Sequence, residues 1–318
     1  DNLSGTTYHK IRVTTGVKDS AGNTLSSQYE TSSGFTTTGL FVGVGTDGLI
    51  LSSPEGTTWT SRTSDVTTTP FQSITNDNST FVVVGQSGKI VTSTDGLSWT
   101  SRTSGKSESL REVTHGIGLF LIVGDSGTVL TSSDNGTSWT SRTLGSSDNL
   151  LSVTYGNNLF VAVGQGGVIF TSTDGTSWTS RTSGTTNHLY GVTYGNNIYV
   201  AVGYNGYILS SSDGTTWTSR TSPTDIKRTA ISFGNDTFVS VGSTGSIITS
   251  TDNGTTWDNA TSGTTTGKES VSFGNNTFVT GGGSVSILTS SDNGSSWTSR
   301  DSGISSGSIE IQGLSYKE

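Results

Sequence analysis

Repeated aspartates and arginines are the residues of this chain whose types and spacing could do chemistry. Six aspartates stand in Ser-x-Asp turns at regular intervals, and pairs of carboxylates act as acid and base in glycoside hydrolysis. Six arginines recur in the motif Trp-Thr-Ser-Arg, and a ring of guanidinium groups could bind anions. The aspartates are Asp95, Asp134, Asp174, Asp213, Asp252 and Asp292, and the arginines are Arg62, Arg102, Arg142, Arg181, Arg220 and Arg300.

Gly-x-x-Gly loops form a third repeated pattern, which could be taken for phosphate-binding turns. A phosphate cradle needs its glycine-rich loop to lead into the N-terminus of a helix, where backbone N–H groups converge. Here each loop precedes a short β-rich run, as at residues 124–127 and 164–167, and no stretch shows helical periodicity. The sequence therefore does not predict phosphate binding at these loops.

Seven tryptophans explain why these patterns recur, because they mark an internal repeat of 39 or 40 residues. A period of this length indicates an array of one supersecondary unit, each too small to bury its own apolar face. The repeat accounts for most residues that a motif search would select, so little chemistry is left over. The tryptophans are Trp59, Trp99, Trp139, Trp178, Trp217, Trp257 and Trp297.

Each repeat contains four short β-rich runs separated by turn residues, which we name strands A to D. In the repeat that starts near residue 150, we predict strand A at 153–156, strand B at 159–164, strand C at 168–172 and strand D at 177–182. Gly-Asn-Asn turns join A to B, and these residues tolerate the positive φ of tight hairpins. Four antiparallel strands in about 40 residues predict one blade of a β-propeller.

The number of strands predicts how the ring closes. Strand B occurs seven times, starting at Leu40, but no strand A precedes its first copy. The missing strand A follows the last strand D, at residues 313–316. The sequence therefore predicts an all-β, seven-bladed β-propeller over residues 40–318, with the C-terminal strand completing the first blade. Each tryptophan is expected to fill the wide gap between neighbouring blades near the rim.

The turn between strands C and D resembles a known family motif. It reads Ser-Ser-Asp-Asn-Gly-Thr-Ser-Trp at 132–139, and seven copies occur within residues 40–318. This resembles the Asp-box, or bacterial neuraminidase repeat, of sialidases, sortilin-type receptors and photosystem II assembly-factor propellers. The resemblance implies a structural turn far from the ligand face, and a short carboxylate can accept N–H bonds within its own turn. The first copy departs from the motif, because Glu55 stands where the others have Asp.

Sialidase activity does not follow from this resemblance. The family enzymes hold the substrate carboxylate with three arginines, and an Arg-Ile-Pro motif usually precedes their first blade. This chain has no Arg-Ile-Pro, and only Arg12, Arg111 and Arg228 lie outside the repeated motif. Two arginines within the predicted ring cannot form a triad. The repeated arginines are expected on the outer edge strand, where a charge discourages pairing between molecules.

Function is expected where the repeats differ. The D–A and B–C loops should share one face of the ring, which is the usual ligand face of propellers. Their unique side chains are charged, amide or aromatic, which suits a carbohydrate or a polar protein partner. Loops also vary because they tolerate change, so variation alone assigns no role. The candidate ligand-binding residues are Arg111, Glu112, His188, Tyr190, Tyr204, Asn205, Arg228 and Glu269.

Three functions are compatible with these residues. The preferred one is a non-catalytic ligand-binding or adhesion propeller, expected to be a monomer. The alternative is an assembly or scaffold protein, as the resemblance to photosystem assembly propellers implies. The third is a glycoside-acting enzyme, for which Glu112 and Glu269 would have to face each other across the ring mouth. No cofactor or metal site is predicted, because the histidines are scattered, and His115 replaces a Tyr or Phe of strand A as a packing residue.

Composition and the first 39 residues indicate the setting. A net charge of −8 argues against nucleic-acid and anionic-membrane partners, and without cysteine no disulfide can form. No apolar segment predicts membrane insertion. Residues 1–39 do not fit the repeat, and Val-Lys-Asp-Ser-Ala-Gly-Asn at 17–23 resembles the end of a bacterial Ig-like domain. We therefore expect residues 1–39 to be a partial Ig-like segment or linker, in a secreted or cell-surface bacterial protein.

Overall fold

A seven-bladed β-propeller accounts for nearly all of the described chain. The structure, a computed structural model, describes residues 39–66, 68–77, 79–304 and 309–318, and four short strands before residue 38. Every blade is a four-stranded antiparallel sheet. The fold class predicted from the sequence is therefore confirmed. Within the described ranges, no helix has the length and apolar character needed to cross a membrane.

The blades follow one another along the chain, and in each of them strand A is innermost and strand D outermost. Three-residue 3-10 turns separate strands B and C. The strands before the propeller are β1 (Thr7–His9), β2 (Arg12–Val13), β3 (Tyr29–Glu30) and β4 (Phe35–Thr37). Blade 1 contains β5 (Leu40–Gly45), β6 (Ile50–Ser53) and β7 (Thr60–Arg62); blade 2 contains β8 (Phe71–Asn76), β9 (Phe81–Gly85), β10 (Lys89–Ser93) and β11 (Thr100–Thr103); blade 3 contains β12 (Leu110–Gly116), β13 (Leu119–Gly124), β14 (Thr128–Ser132) and β15 (Thr140–Thr143). Blade 4 contains β16 (Leu150–Gly156), β17 (Leu159–Gly164), β18 (Ile169–Ser172) and β19 (Thr179–Arg181); blade 5 contains β20 (Leu189–Gly195), β21 (Ile198–Gly203), β22 (Ile208–Ser211) and β23 (Thr218–Arg220). Blade 6 contains β24 (Arg228–Gly234), β25 (Thr237–Gly242), β26 (Ile247–Ser250) and β27 (Asp258–Ala260); blade 7 contains β28 (Lys268–Gly274), β29 (Thr277–Gly282), β30 (Ile287–Ser290) and β31 (Thr298–Arg300); the last strand is β32 (Ile311–Lys317). The 3-10 turns are Thr46–Gly48, Gln86–Gly88, Asp125–Gly127, Gln165–Gly167, Tyr204–Gly206, Ser243–Gly245 and Gly283–Val285.

The two ends of the propeller sequence close the ring. Strand β32 pairs antiparallel with β5, placing Tyr316 opposite Phe41, and so supplies strand A of blade 1. Asn76 in blade 2 donates from Nδ2 to Ser315 Oγ (2.9 Å) and to the Tyr316 carbonyl (2.8 Å), which ties the closing strand to the next blade. The predicted closure is confirmed, and the closing strand begins at Ile311, two residues earlier than predicted.

Strand A is longer than the sequence pattern predicted. In blade 4 it begins at Leu150 rather than Val153. A β-bulge follows the first residue, because the register shifts between Leu150 and Ser152 and leaves Leu151 without a partner. The same extension occurs in the other blades, so several candidate residues belong to strand A and not to the D–A loops. These residues are Arg111, Glu112, Tyr190, Arg228 and Glu269.

Apolar side chains of neighbouring blades pack together at the seams between them. Trp99 and Phe81 of blade 2 lie in one cluster with Val42 of blade 1. Trp59 of blade 1 lies in one cluster with Val279 of blade 7, so the seam that closes the ring is packed like the others. The predicted position of the tryptophans between blades is confirmed.

Near the axis the blades approach so closely that strand A usually ends in glycine. A Cβ on Gly195 would lie 2.1 Å from the Phe233 ring of the next blade. Blade 2 has Asp77 in place of this glycine, and the facing residue of blade 3 is His115 rather than Tyr or Phe. The His115 ring packs 4.9 Å from that of Phe120, which confirms its predicted packing role. Asp77 and His115 therefore occur together, at the seam between blades 2 and 3.

The chain before the propeller contributes two short strand pairs. Strand β1 pairs antiparallel with β4, with Thr7 opposite Thr37, and β2 pairs with β3, with Arg12 opposite Glu30. Most of residues 1–39 lies outside the described residues. The partial Ig-like segment therefore stays a prediction.

Candidate functional site at the mouth of the central channel

The connecting turns define two faces of the ring. The B–C turns bond to the D–A loops, as from Gly88 N to the Glu108 carbonyl (2.9 Å), and we name this side the top face. The A–B and C–D turns form the opposite, bottom face, where Asn196 Nδ2 of blade 5 donates to Asn253 Oδ1 of blade 6 (2.6 Å). The prediction that D–A and B–C loops share one face is confirmed.

The repeated aspartates lie on the bottom face and bond within their own turns. Asp134 accepts hydrogen bonds from Ser132 Oγ (2.7 Å), Ser138 N (2.9 Å) and Ser138 Oγ (2.6 Å). These bonds, led by the one from the Ser138 hydroxyl, lower the pKa of Asp134 to about 2. Trp139 Nε1 donates to the Gly136 carbonyl (3.1 Å). The carboxylate, the turn and the tryptophan therefore form one structural unit.

The bonds of the carboxylate recur in the other C–D turns, including the one that departs from the motif. In blade 1, Glu55 Oε1 accepts from Thr58 N (3.1 Å) and Thr57 Oγ1 (3.0 Å), so the longer side chain plays the same role. The predicted turn bonds are thereby confirmed, whereas the assignment to the Asp-box family stays a prediction. The equivalent carboxylates that accept backbone N–H groups of their turns are Asp95, Asp174, Asp213, Asp252 and Asp292.

The repeated arginines fasten strand D to strand C at the rim. Arg62 Nε donates to Ser52 Oγ (2.7 Å), and Arg181 Nε donates to Thr171 Oγ1 (2.9 Å). The same bond is present in blades 2, 3, 5 and 7, while blade 6 has Ala260 at this position. These guanidinium groups lie on the outermost strand of each sheet, as predicted. They cannot form an arginine triad at the axis.

The innermost strands enclose a cavity of about 170 Å³ at the centre of the ring. Glu112, Tyr190 and Glu269 line it, together with Gln72 and Gln312. The two glutamates come from blades 3 and 7, on opposite sides of the ring. Sites for small molecules commonly have about 300–1,000 Å³. The cavity alone is therefore small for an extended ligand, so a larger partner would contact its mouth.

Burial perturbs both glutamates of the channel. The Glu112 carboxyl is surrounded by protein, although part of the side chain is accessible from the channel. Burial raises its pKa to about 7. The hydrogen bond that Ser73 Oγ donates to the carboxylate has the opposite effect and lowers the pKa. Burial also raises the pKa of Glu269, which the charge of Lys227 opposes and that of Glu310 reinforces. A carboxyl that exchanges its proton near neutral pH can act as an acid or a base, but a narrow channel restricts access to it.

Arg111 is bound by its own blade and by blade 2. Its Nε and Nη2 donate to the two carboxylate oxygens of Asp125 at 2.8 and 2.7 Å, and its Nη1 donates to Gln72 Oε1 at 3.4 Å. The ion pair stays accessible at the top face, because the Arg111 side chain is 31% exposed. Its charge is already compensated, so Arg111 is a weaker anion ligand than the sequence suggested.

Arg228 is buried, and its prediction as a ligand-binding residue is wrong. It is the first residue of strand A in blade 6 and is completely inaccessible to solvent. Its Nε donates to the Ile226 carbonyl (3.1 Å), and its Nη2 donates to Thr224 Oγ1 (2.9 Å) and Ser246 Oγ (2.6 Å). Burial lowers its pKa to about 10. The side chain holds the D–A loop from below and does not reach the surface.

The remaining candidates form an aromatic patch at blades 5 and 6. The rings of His188 and Tyr190 meet edge to face at 6.1 Å, and Lys227 Nζ lies 4.4 Å from the Tyr190 ring centroid. Tyr204 is 47% exposed in the adjacent B–C turn. The pKa of Tyr190 is raised, first by its burial and then by the electrostatic interaction with Tyr204. Asn205 follows it and is also exposed. We define the aromatic patch as these five residues.

Backbone bonds make the aromatic patch rigid. His188 Nδ1 accepts from Gly166 N (2.8 Å), and Tyr204 N donates to the His188 carbonyl (2.9 Å), so two B–C turns hold one D–A loop. Asn205 adopts φ 53°, in the left-handed region that asparagine tolerates. Lys227 was not among the candidates, although its position beside Arg228 gives this D–A loop two adjacent cations. That doubled charge was the available signal.

The eight predicted site residues therefore separate into three groups. His188, Tyr190, Tyr204 and Asn205 come together in the aromatic patch, with Glu269 connected to it through the charge of Lys227. Arg111 and Glu112 lie on blade 3, and Arg228 is buried. In the described part of the chain, no group of three or more His, Asp or Glu side chains is arranged to hold a metal ion.

Solved structures of other propellers have the same fold at low sequence identity. A structure described as YCF48 bound to D1 peptide has a TM-score of 0.61 and 18% identity, covering 77% of this chain and 89% of that one. YCF48 from Cyanidioschyzon merolae has a TM-score of 0.60 and 18% identity, covering 77% and 94%. The computationally designed Ika8 protein has a TM-score of 0.56 and 12% identity, covering 91% and 86%. At these identities the likeness concerns the fold alone.

A sequence profile gives the family. No curated protein sequence matches this chain. The profile of the DUF6242 beta propeller domain matches residues 35–150 and, in a second overlapping match, residues 107–225. The two matches together cover residues 35–225, which is more than half of the chain. This chain therefore belongs to the family of DUF6242 beta propeller domains.

Proposed function

We propose that this propeller is a non-catalytic scaffold that binds a segment of a partner protein at the aromatic patch. The observation that carries the proposal is a rigid cluster of His188, Tyr190 and Tyr204 on the face where the repeats differ. Fixed aromatic rings with polar edges supply much of the binding energy of protein interfaces and lose little entropy on binding. The structure described as YCF48 bound to D1 peptide supports the proposal, because it shows a similar ring together with a peptide.

The charges around the aromatic patch suit a polar segment. Lys227 on the Tyr190 ring offers a donor, while Glu269 and Glu310 offer acceptors next to it. A partner segment that carries both positive and negative charges could therefore bind in a single orientation. Such a surface suits a scaffold that binds a segment of a partner protein.

The placement of the carboxylates supports a non-catalytic role. The repeated aspartates bond within turns of the bottom face, and Glu112 is held by Ser73 in a narrow channel. A glycosidase needs two carboxylates with a sugar ring and a water between them. The bacterial surface location and the monomeric state remain parts of the proposal, and light scattering of the purified chain tests the second.

A carbohydrate is the second candidate ligand, because Tyr204 and Asn205 lie side by side. Sugars stack on exposed aromatic rings and bond to neighbouring amides. The patch has both groups, and both are accessible. The ligand class is therefore the first question for experiment.

The test probes one fluorescent preparation of the chain on an array of 15-residue peptides and on a glycan array. We expect peptides to bind, and the variants Tyr190→Ala and Tyr204→Ala to lose about tenfold or more in affinity. Leu97→Ala is the matched control, because Leu97 is 45% exposed on the bottom face. Binding to glycans alone would select the second candidate. Binding that Leu97→Ala weakens and Tyr204→Ala does not would overturn the patch assignment.

A further inference from the structure

The central channel has an acidic wall that carries no positive charge. Glu112 and Glu269 line it, and in the described part of the chain no Lys, Arg or His side chain does. Its volume of about 170 Å³ is enough for several water molecules. Both glutamate side chains are half-buried, so accessible space lies beside each of them. A small ligand can therefore reach the two carboxyl groups from the top face.

The charges of the two glutamates are not compensated. Among the described residues neither carboxylate forms an ion pair, in contrast to Asp125 with Arg111. Burial raises the pKa of both carboxyls, and a nearby cation would lower it by favouring the charged form. The charge of Lys227 opposes the effect of burial on Glu269, but no charged group opposes it on Glu112. The channel therefore favours a cation as its ligand.

A hydroxyl group of the channel wall also lacks a partner. Ser270 lines the channel and is 5% exposed, and its Oγ has no hydrogen-bond partner in the described structure. The serines at the same position of blades 2 and 4 are bonded: Ser73 Oγ donates to the carboxylate of blade 3, and Ser152 Oγ accepts from Val192 N (3.1 Å). Ser270 directly follows Glu269 on blade 7. Both groups accept hydrogen bonds, so a ligand with several donors suits this part of the wall.

We propose, on the basis of the function proposed above, that a lysine of the bound segment inserts its side chain into the channel and brings its ammonium group to Glu112 and Glu269. An ammonium group is compact and carries three donors on a flexible four-carbon stem, so it can bond to acceptors that different blades supply. A guanidinium group is planar and needs a flat, bidentate partner. A metal ion needs more oxygen ligands, and the described residues contain no group of three or more His, Asp or Glu arranged to bind one.

The channel opens where the partner segment is expected. Tyr190 lines the channel and also belongs to the aromatic patch. A segment that crosses the patch therefore passes the mouth of the channel. One residue further along strand A than Glu112, the wall becomes apolar, with side chains such as Ile74 and Val271. An ammonium group would therefore stop at the level of the carboxyl groups, where its charge is compensated.

Calorimetric titration with a blocked lysine, N-acetyl-lysine methylamide, tests the channel without a partner protein. At pH 7 the Glu112 carboxyl is about half protonated, because its pKa is about 7, so an ammonium group that binds there releases up to about half a proton. Titrations in two buffers of different ionisation enthalpy measure this release. Glu112→Gln should reduce the release and weaken binding about tenfold. Glu108→Gln is the matched control that should change neither, because Glu108 lies in a top-face loop and accepts from Ser107 N (3.1 Å).

A bound peptide from the array separates the lysine site from the scaffold function. Replacement of the inserted lysine by norleucine should weaken peptide binding about tenfold, and Glu112→Gln should remove that difference. Peptides that bind through Tyr204 without dependence on a lysine would overturn the lysine site and leave the scaffold function standing. If the blocked lysine binds with proton release and no peptide binds, the channel site is supported and the scaffold function fails. Equal binding of blocked lysine and blocked norleucine, or equal proton release by the parent and Glu112→Gln, would overturn the lysine site.

Discussion

The bottom and top faces are made by the same repeat, yet they use side chains in different ways. On the bottom face the same carboxylate recurs in nearly every blade and bonds within its own turn, as Asp134 does with Ser138. On the top face the side chains differ between blades and contact residues of other turns, as His188 does with Gly166. Repeated residues thus stabilise each blade separately, whereas unique residues can combine across blades into one surface.

Burial divides the unique residues further. Tyr204 is unique and exposed, which suits a binding role, but Arg228 is unique and buried. Asp77 and His115 are exceptions to the repeat that face each other at one seam. A departure from the repeat is therefore either a surface contact or one half of a paired change in packing. The predictions below separate these cases, from the largest effect on the ring to the smallest.

Removal of the closing strand should have the largest effect. Without residues 311–318, strand β5 loses its inner partner, and the cluster around Phe41 and Ile311 opens. We expect the free energy of unfolding to fall by at least about 5 kcal/mol, because both hydrogen bonds and apolar burial are removed. The truncated chain should also no longer unfold cooperatively. Calorimetry of the truncated chain measures this. A synthetic peptide of residues 309–318 should restore the transition, and an unchanged Tm after truncation would contradict ring closure by this strand.

Truncation of a seam tryptophan should have the next largest effect. Trp257 is 6% exposed, packs with Phe238 at a centroid distance of 6.5 Å, and donates to the Gly254 carbonyl (3.1 Å). Trp257→Ala should lower the free energy of unfolding by about 3–5 kcal/mol, because it leaves a cavity between two blades. Urea unfolding provides the value, with Leu97→Ala as an exposed control that should change stability by less than about 0.5 kcal/mol.

The stability of the folded chain should depend on pH near neutrality because of Glu112 in the central channel, which distinguishes the channel from the top and bottom faces. The pKa of Glu112 in the folded chain is about 7, above its ordinary value of 4.5, so folding favours the protonated form. Its contribution to stability is complete below about pH 4.5 and is lost as pH rises through 7. Glu112→Gln should therefore gain roughly 5 °C in Tm over the parent between pH 5 and pH 8.

The hydrogen bond to Glu112 provides the control for that pH effect. Ser73 Oγ donates to the carboxylate and so lowers the pKa that burial raises. Ser73→Ala should shift the midpoint of the stability change to higher pH without abolishing it. A pH profile that is the same in the parent and in Glu112→Gln would show that another group causes it.

The fold was predictable because every repeat gives the same local signal. The tryptophan period, the turn residues and the missing first strand A together define seven blades and their closure. Residues of the aromatic patch were predictable for a related reason: Tyr190 and Tyr204 stand out against the repeat. The bulge in strand A was not recognised, since the polar residues that precede Leu150 and Leu189 suggested a loop.

The burial and the ion pairing of the charged candidates depend on tertiary contacts that cannot be recognised in the sequence. Arg228 was placed on the surface because it was assigned to a D–A loop, and its burial follows from the unrecognised start of strand A. The pairing of Arg111 with Asp125 joins residues 14 positions apart across a bulge and a turn. Burial of Glu112 likewise depends on the closed ring around it. These properties arise from tertiary structure and not from local pattern.

The smallest effect on the ring is expected from a single bottom-face carboxylate. The pKa of Asp134 is about 2, below its ordinary value of 3.8, so folding favours the charged form. Its contribution is present above about pH 4 and is lost as pH falls through 2. Asp134→Asn should therefore cost less than about 1 kcal/mol at pH 7, because solvent screens an exposed carboxylate. Near pH 2 the variant and the parent should unfold at the same temperature.

The same variant tests the separation of the two faces. Asp134 bonds only within its own turn in the described structure, far along the blade from the top-face loops. Asp134→Asn should therefore leave peptide binding unchanged, while Tyr204→Ala should weaken binding and leave Tm nearly unchanged, because its ring is 47% exposed. Affinity and Tm measured on both variants give the comparison. If Asp134→Asn weakened binding as much as Tyr204→Ala, repeated residues would take part in recognition, and the ligand sites would lie between blades rather than at one mouth.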